Sequence, residues 1–176
     1  MKIKNVADLK RKSVEEFRRS EKFPLVVILD NIRSMHNVGS VFRTADAFLI
    51  SGIWLCGYTP RPPHRDIHKT ALGATETVQW NEAVSTMDAI LTLKQSGYSI
   101  YAVEQVEKSI PLHEFSLPES GKIGVVFGNE VSGIDPSVLE SCDGSIEIPQ
   151  FGMKHSLNVS VAAAIVLWEL VGRRRQ

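Results

Sequence analysis

The sequence predicts one α/β domain with a mainly parallel sheet and helices on both faces, and two observations indicate this fold class. First, short apolar runs alternate along the 176 residues with longer stretches of helical spacing, which is the order of strands joined by helices. Second, several runs, such as Leu25 to Leu29, contain no polar residue, as expected of strands buried on both faces. The composition, 43% apolar and 23% charged, is that of an ordinary globular domain.

The predicted elements follow in order from the N-terminus. Val6, Leu9 and Phe17 recur at roughly helical spacing, so the first 20 residues are predicted to form an amphipathic helix. Strands are predicted at 25–29, 53–56, 99–103, 123–127 and 145–148. Helices are predicted at about 37–49, 82–96, 136–141 and 157–172. The segment 57–69, rich in proline and charge, is predicted to be a mobile loop beside the sheet.

The net charge of zero hides basic ends and an acidic middle. Residues 1–22 carry eight Lys or Arg against four Asp or Glu, and Arg173, Arg174 and Arg175 follow near the C-terminus. Residues 23–172 hold nine basic and sixteen acidic side chains. We therefore predict a basic helical extension at 1–22, a main domain at 23–172 and a basic tail at 173–176. The ends suit a polyanion, and the alternative is that they are solvated surface.

Several classes of protein do not fit the sequence. No run reaches the roughly 18 apolar residues that span a bilayer, and the charged N-terminus lacks the apolar run of a signal peptide. We therefore expect a cytoplasmic protein. The two cysteines, Cys56 and Cys142, indicate neither a disulfide framework nor a zinc site. His64 and His68 have a metal-ligand spacing, but Arg65 occupies the place of a zinc protease's glutamate, so no metal is predicted.

The first segment with chemical character is NIRSMHNVGSVFRTADAF at 31–48, directly after the first predicted strand. On a helix at 37–49 the apolar side chains share one arc, and Arg43 projects from nearly the opposite side. Gly39, Ser40 and Ala47 flank it, and their small side chains would leave room for a bulky group. The guanidinium suits a phosphate or a developing oxyanion, and the alternative is a solvent-exposed arginine.

The second segment is VVFGNEVSGI at 125–134, in which an apolar strand runs directly into a polar turn. Ligands of parallel sheets bind at the carboxyl ends of strands. Gly128 would let a ligand approach the backbone closely, and Gly133 permits a positive φ. Glu130 is suited to orient Arg43 or a substrate hydroxyl. The alternative is an acid that stabilises a nearby helix N-terminus.

The third segment is IPQFGMKHSLNVSVAAAIVLWEL at 148–170, predicted as a strand-end loop that leads into a helix. Ser156 or Asn158 could cap this helix. The same N-terminus would also offer free N–H groups to an anion or a reacting oxygen. The helix is apolar on nearly every side, so its far side needs a cover, and a partner subunit is the simplest one.

Together these segments resemble the motifs of one family. DNIRSMHNVGSVFRTADAF, KTALGATETVQW at 69–80, FGNEVSGI and IPQFGMKHSLNVSVAAAI are similar, in order and spacing, to those of the SpoU (TrmH-like) RNA methyltransferases of the SPOUT superfamily. The resemblance covers about residues 24–170. It implies a deep trefoil knot near the C-terminus, which is a rare exception to the usual rules of chain connection. It also implies a homodimer whose shared interface completes each site.

The resemblance further implies the residues of the site. The family's catalytic positions correspond to Asn37, Arg43, Glu130, Ser156 and Asn158. The positions that hold the cofactor S-adenosylmethionine, largely through backbone groups, correspond to Gly128, Ile148 and Leu157. Cofactor binding of this kind would explain why the sequence has neither GxGxxG nor GxxxxGK[ST].

The implied reaction is in-line transfer of the sulfonium methyl group to a ribose 2′-oxygen of RNA, with tRNA favoured over rRNA. Arg43 corresponds to the family's activator of that hydroxyl. Because arginine keeps its proton up to a pH of about 12, we expect it to bind phosphate and stabilise the developing alkoxide. Glu130, Ser156 and Asn158 would position Arg43 and the ribose.

The sequence departs from the family pattern in two places. A glycine commonly follows the Ala-Phe of the first motif, whereas Leu49, Ile50 and Ser51 precede Gly52 here. The chain also shows no added RNA-binding domain of the kind found in some ribosomal-RNA members. RNA capture is therefore assigned to residues 1–22, the 57–69 loop and the terminal arginines.

Two alternative functions follow from the same residues. One is a catalytically inactive, knotted RNA-binding dimer, and the intact set of Arg43, Glu130, Ser156 and Asn158 speaks against it. The other is methylation of a base nitrogen, as in other SPOUT branches. The segment around Arg43 favours the ribose.

Overall fold

The structure is a computed structural model that describes residues 12–154 and 156–173. Its strands are β1 (Phe23–Asp30), β2 (Ile50–Cys56), β3 (Trp80–Ala83), β4 (Ser99–Val103), β5 (Ile110–Pro111), β6 (Ile123–Phe127) and β7 (Gly144–Glu147). Its helices are α1 (Val14–Arg19), α2 (Met35–Phe48), α3 (Arg65–Ala71), α4 (Ala74–Thr77), α5 (Thr86–Gln95), α6 (Pro136–Glu140) and α7 (Val159–Arg173). In the described ranges no helix is long and apolar enough to cross a membrane.

The strands form one seven-stranded sheet in the order β3-β2-β1-β6-β4-β7-β5, and every neighbouring pair is parallel. The central strands β1 and β6 are apolar without alternation because helices cover both of their faces. Residues on one face of β6, such as Val125, pack in a core with α2, α3 and α7. Val126 packs on the opposite face with α5 and α6. The predicted α/β class, with its parallel sheet and helices on both faces, is confirmed.

Three predicted elements differ in the structure. The helix predicted at 82–96 is the strand β3 followed by α5, which begins where Ser85 and Asp88 form a capping box. The predicted mobile loop at 57–69 contains the first residues of α3, which His64 caps through its ring nitrogen. The N-terminal helix begins only at Val14, after its cap Ser13. Val6 and Leu9 lie outside the described residues.

Helix α2 ends at Phe48, one residue before the place where the family pattern commonly has a glycine. Leu49 follows it in the left-handed conformation, with φ of 55°, where glycine is the usual residue. The Leu49 side chain packs against the core, and this packing offsets the unfavourable backbone conformation.

Candidate active site

The carboxyl ends of the adjacent strands β6, β4 and β7 enclose a cavity of about 620 Å³. Three loops after these strands and the start of α7 form its wall. A cavity of this size lies within the usual range for small-molecule sites, about 300–1,000 Å³. The residues that line it are Val103, Glu104, Gln105, Phe127, Gly128, Asn129, Glu130, Val131, Ser132, Gly133, Ile134, Ile146, Glu147, Ile148, Gln150, Ser156, Leu157, Asn158, Val159 and Ala162.

All three residues predicted to hold a cofactor, Gly128, Ile148 and Leu157, line this cavity. The structure gives a different reason for the glycine, however. A Cβ atom on Gly128 would lie 2.5 Å from the backbone carbon of Gly133 and 2.5 Å from the Ile134 side chain. The close approach at Gly128 is therefore made by the chain's own turn, which folds back with Gly133 at a φ of 69°.

A chain of hydrogen bonds joins three predicted catalytic residues from three distant segments. The Asn37 side-chain amide donates to Glu130 Oε1 at 3.0 Å, and the Asn158 amide donates to Asn37 Oδ1 at 3.1 Å. Asn158 also caps α7, because its Oδ1 accepts from the Ser160 N–H at 2.9 Å. The capping role and the site role of Asn158 are thus compatible.

The Glu130 carboxylate is held in its charged form. It accepts hydrogen bonds from the backbone N–H groups of Arg33 and Ser34, at 3.0 and 3.3 Å, besides that from Asn37. Partial burial would raise the pKa of Glu130, but these donors and its own backbone N–H together outweigh it, so that the pKa is lowered. Glu130 therefore acts as an acceptor that ties the start of α2 to the cavity.

Ser156 and Arg43 do not join this network. Ser156 lines the cavity but makes no hydrogen bond with the described part of the chain. Arg43 is exposed and has no hydrogen bond or ion pair among the described residues. On an ideal helix it lies about 9 Å along the axis and about 120° round from Asn37, so the two side chains leave α2 on different sides.

The expected open space around Arg43 is also reduced. Gly39 is buried, and a Cβ atom there would lie 2.3 Å from the Ile67 carbonyl oxygen of α3. The prediction that Gly39 leaves room for a ligand was therefore wrong. This glycine permits close packing of α2 on α3.

Asn129 organises the site, although the sequence analysis gave it no role. It is 8% exposed, and its side chain makes four hydrogen bonds with described residues. Its amide donates to the Asn31 carbonyl at 2.7 Å and to the Tyr58 hydroxyl at 2.8 Å. Its Oδ1 accepts from the N–H groups of Val131 and Ser132. These bonds fix the turn that carries Glu130 and tie it to the ends of β1 and β2.

The cavity is acidic. Glu104, Glu130 and Glu147 line it, and none of them forms a salt bridge within the described ranges. Glu147 accepts a hydrogen bond from the Ser109 hydroxyl at 2.7 Å. Such a wall favours a ligand with positive charge. Among the described residues no three His, Cys, Asp or Glu side chains group as a metal site.

Fold and cavity together define an α/β protein with a cavity at the carboxyl ends of its parallel strands, where proteins of this fold class bind their ligands. The model of the SpoU rRNA Methylase family matches residues 24–168, and the chain belongs to this family. The resemblance seen in the sequence motifs is thereby confirmed.

Three similar proteins illustrate the relationship. An uncharacterized tRNA/rRNA methyltransferase of Synechocystis is 35% identical over 161 residues, which are 92% of this chain and 41% of the relative. The tRNA (guanosine(18)-2′-O)-methyltransferase of Thermus thermophilus is 31% identical over 95% of this chain and 84% of its own. The AdoMet-bound rRNA methyltransferase of Sinorhizobium meliloti has a TM-score of 0.80 at 27% identity, over 90% of this chain and 60% of that one. The chain thus spans less than two thirds of the first and third proteins.

Proposed function

We propose that the chain is an S-adenosylmethionine-dependent RNA methyltransferase that acts on a ribose 2′-hydroxyl. The observation that carries this proposal is the hydrogen-bonded chain of Glu130, Asn37 and Asn158 beside the 620 Å³ cavity. These polar groups are suited to orient a ribose, and the cavity beside them has room for a cofactor. The names of the Thermus and Sinorhizobium proteins agree with these two substrates.

The chemistry of the cavity fits S-adenosylmethionine. Ile134, Ile148 and Leu157 give it apolar surface for an adenine ring, and three glutamates give it negative charge. Bound there, the cofactor would supply a methyl group on a positively charged sulfonium. The backbone at Gly128 and in the 148–158 loop would hold it.

The chain's own residues would then orient and stabilise the attacking oxygen. Asn37 has both of its side-chain polar atoms committed, so it fixes Glu130 and Asn158 relative to each other. Ser156 lines the cavity without a hydrogen bond to any described residue, so its hydroxyl would donate to or accept from the ribose. A cation, Arg43, would bind the adjoining phosphate and lower the free energy of the developing alkoxide.

We infer that a second copy of the chain supplies Arg43. Arg43 makes no hydrogen bond or ion pair with the network among the described residues, and it lies on α2, which packs beside α7. The outer face of α7 and the loop before it expose large apolar side chains, namely Phe151, Met153, Leu157, Val161, Ile165 and Trp168. Monomers rarely expose such a set together. A homodimer through this face would cover it and bring the partner's α2 near the cavity.

We also propose the trefoil knot. The chain leaves β6, passes over to β7 on the far side of β4, and returns through the 148–158 loop to α7. A knot over β6 to α7 would draw these loops tightly around the cofactor. The catalytic domain would then span 23–172, with 1–22 and 173–176 as extensions.

The RNA contacts of the extensions need one revision. The Arg173 guanidinium donates to Glu169 and to the carbonyl oxygens of His113 and Phe115, so it anchors α7. Arg174 and Arg175, and residues 1–11 of the N-terminal extension, lie outside the described residues. We propose a cytoplasmic enzyme for tRNA rather than rRNA, since the Thermus relative matches this chain over most of both lengths. Methyl transfer to separated tRNA and rRNA fractions tests this preference.

Calorimetric titration with S-adenosylmethionine tests the cofactor site. We expect saturable binding by the wild type and its loss in Leu157→Trp, whose indole would fill the cavity. Leu91→Trp is the matched control, since Leu91 is exposed on α5, away from the cavity. Absence of binding by the folded wild type would instead favour the inactive RNA-binding dimer.

A further inference from the structure

Tyr58 is an exposed aromatic residue whose position is fixed at both ends. Its side chain is 61% exposed, yet its hydroxyl accepts a hydrogen bond from the Asn129 amide at 2.8 Å. Its backbone N–H donates to Asn31 Oδ1 at 3.2 Å. Hydrogen bonds at an exposed position add little to the stability of the fold. A ring that they hold in one place is suited to contact a planar group of a binding partner.

The residues beside Tyr58 are anchored as well. Thr59 is 2% exposed, and its hydroxyl donates to the Leu29 carbonyl and accepts from the Ile32 N–H, both at 3.0 Å. The Gly57 N–H donates to the Ala83 carbonyl at 3.2 Å. The segment 57–59 is therefore a rigid support at the carboxyl ends of β1 and β2, contrary to the mobile loop predicted from the sequence.

The ring does not serve the cofactor. Tyr58 is absent from the residues that line the 620 Å³ cavity, whereas Asn129, which bonds its hydroxyl, is one of them. The ring thus lies outside the cavity wall. Its hydroxyl contacts Asn129, the residue directly before Glu130 in the sequence. A molecule in contact with the ring would lie outside the cavity and close to the turn that carries Glu130.

The surroundings of the ring suit a polyanion. Arg33 follows β1 closely, its backbone bonds Glu130, and its exposed side chain makes no hydrogen bond or ion pair within the described ranges. Arg61, three residues after Tyr58, bonds the Gly57 carbonyl and pairs with Glu82. The side chains of Arg65 and His68 are exposed on α3 and make no hydrogen bond or ion pair in the described part. Arginines suited to bind phosphate therefore lie in both segments that support the ring, Arg33 after β1 and Arg61 after β2.

We propose that Tyr58 is a stacking platform for an unstacked nucleobase of the RNA, beside the ribose that receives the methyl group. This inference rests on the proposed function, because it assumes that RNA is the second substrate. Proteins recognise single-stranded RNA by stacking splayed bases on aromatic side chains. Asn129 fixes the position of the Tyr58 ring relative to the turn that carries Glu130, because its side chain bonds both.

Three variants separate stacking from other roles of the residue. Filter binding would use tRNA and rRNA fractions from a strain of the source organism that lacks the gene. We expect Tyr58→Leu to weaken RNA binding roughly tenfold, the size of one base stack. Tyr58→Phe keeps the ring and should bind within about twofold of wild type. In Tyr58→Trp, RNA should quench the added indole fluorescence, which it should not do in Leu91→Trp.

The proposal is overturned by any of the following results. These are unchanged RNA binding by Tyr58→Leu, equal losses in the Phe and Leu variants, no added quenching in Tyr58→Trp, and dissociation of a dimer by Tyr58→Leu. Binding of S-adenosylmethionine should be the same in all variants, and its loss in Tyr58→Leu would also contradict the assignment. If the wild type failed to bind S-adenosylmethionine, the proposed function would be rejected. The comparison of RNA binding between the Tyr58 variants does not need the cofactor, so the two failures can be told apart.

Discussion

Glu130 receives hydrogen bonds from two backbone N–H groups at the start of α2 and from the Asn37 side chain. These hydrogen bonds form with the ionised carboxylate, so the charged form of Glu130 stabilises the folded state. Because the pKa of Glu130 is lowered in the folded state, its contribution to stability is present above its ordinary pKa of about 4.5. It is lost as the pH falls through the lower, folded value.

Glu130→Gln should therefore be less stable than wild type at neutral pH, by about 1 kcal/mol after allowance for solvent screening. The difference should be constant above roughly pH 5.5 and shrink as the pH is lowered. Urea unfolding at a series of pH values measures it. Glu140→Gln, at an exposed carboxylate on α6 with no hydrogen-bond partner in the described part, is the control. A difference that grows towards low pH would contradict the assignment.

The sequence could predict several residues of the site but not all of their contacts. Motif order placed Glu130 at the end of a strand and Asn158 at the start of a helix, and the topology brings them together through Asn37. The role of Asn129 depends on Asn31 and Tyr58, which are 98 and 71 residues away in the sequence. No local pattern indicates such partners.

At the scale of elements, the short helix α3 ends with a residue poorly suited to its conformation. Leu72 follows it with φ of 50° and ψ of 45°, and the side chain is 65% exposed. A left-handed conformation costs a residue with a Cβ atom about 1–2 kcal/mol. Packing recovers little of this cost at an exposed position.

Leu72→Gly should therefore stabilise the protein by about 0.5–1 kcal/mol, the backbone gain being partly offset by the greater freedom of glycine in the unfolded chain. Thermal or urea unfolding measures the change. Leu91→Gly, at an exposed leucine inside α5, should instead destabilise it by about 1 kcal/mol. Equal losses in both variants would show that the Leu72 side chain, rather than its backbone, decides stability.

Periodicity predicted the long elements well and the short ones poorly. The apolar runs of β1 and β6 and the amphipathic pattern of α2 are long enough to be distinct. Strand β3 has only four residues and lies at one edge of the sheet, where Asn81 and Glu82 are exposed to water. It therefore has no apolar run that would predict a strand. The two residues of β5 are too few for any pattern, and α3 follows two prolines that suggested only a loop.

At the scale of the molecule, the outer face of α7 is the feature that the isolated chain does not explain. Trp168 is 69% exposed and touches Phe48 of α2 edge to face, with ring centroids 6.1 Å apart. Val161 and Ile165 extend the same face at helical spacing. A second copy covering this face would bury apolar surface and place each Arg43 near the other chain's cavity.

Trp168→Glu should thus convert a dimeric wild type into a monomer, because a charge buried in the interface costs several kcal/mol. Sedimentation equilibrium measures the mass, and circular dichroism checks that the fold is kept. Leu91→Glu, which introduces the same charge outside this face, should remain dimeric. A dimer that persists in Trp168→Glu would place the interface elsewhere and leave Arg43 without its proposed partner site.

The central claim is that the cavity and the Glu130 network transfer a methyl group to a ribose 2′-oxygen, and the position of the methyl group in the product tests it most directly. The protein would be incubated with S-adenosylmethionine carrying a labelled methyl group and RNA from a strain of the source organism lacking the gene. The RNA would then be hydrolysed in alkali. We predict label in alkali-resistant dinucleotides, which only 2′-O-methylation produces, and its absence with Arg43→Ala. Label confined to bases, or no incorporation by a protein that binds the cofactor, would contradict the account.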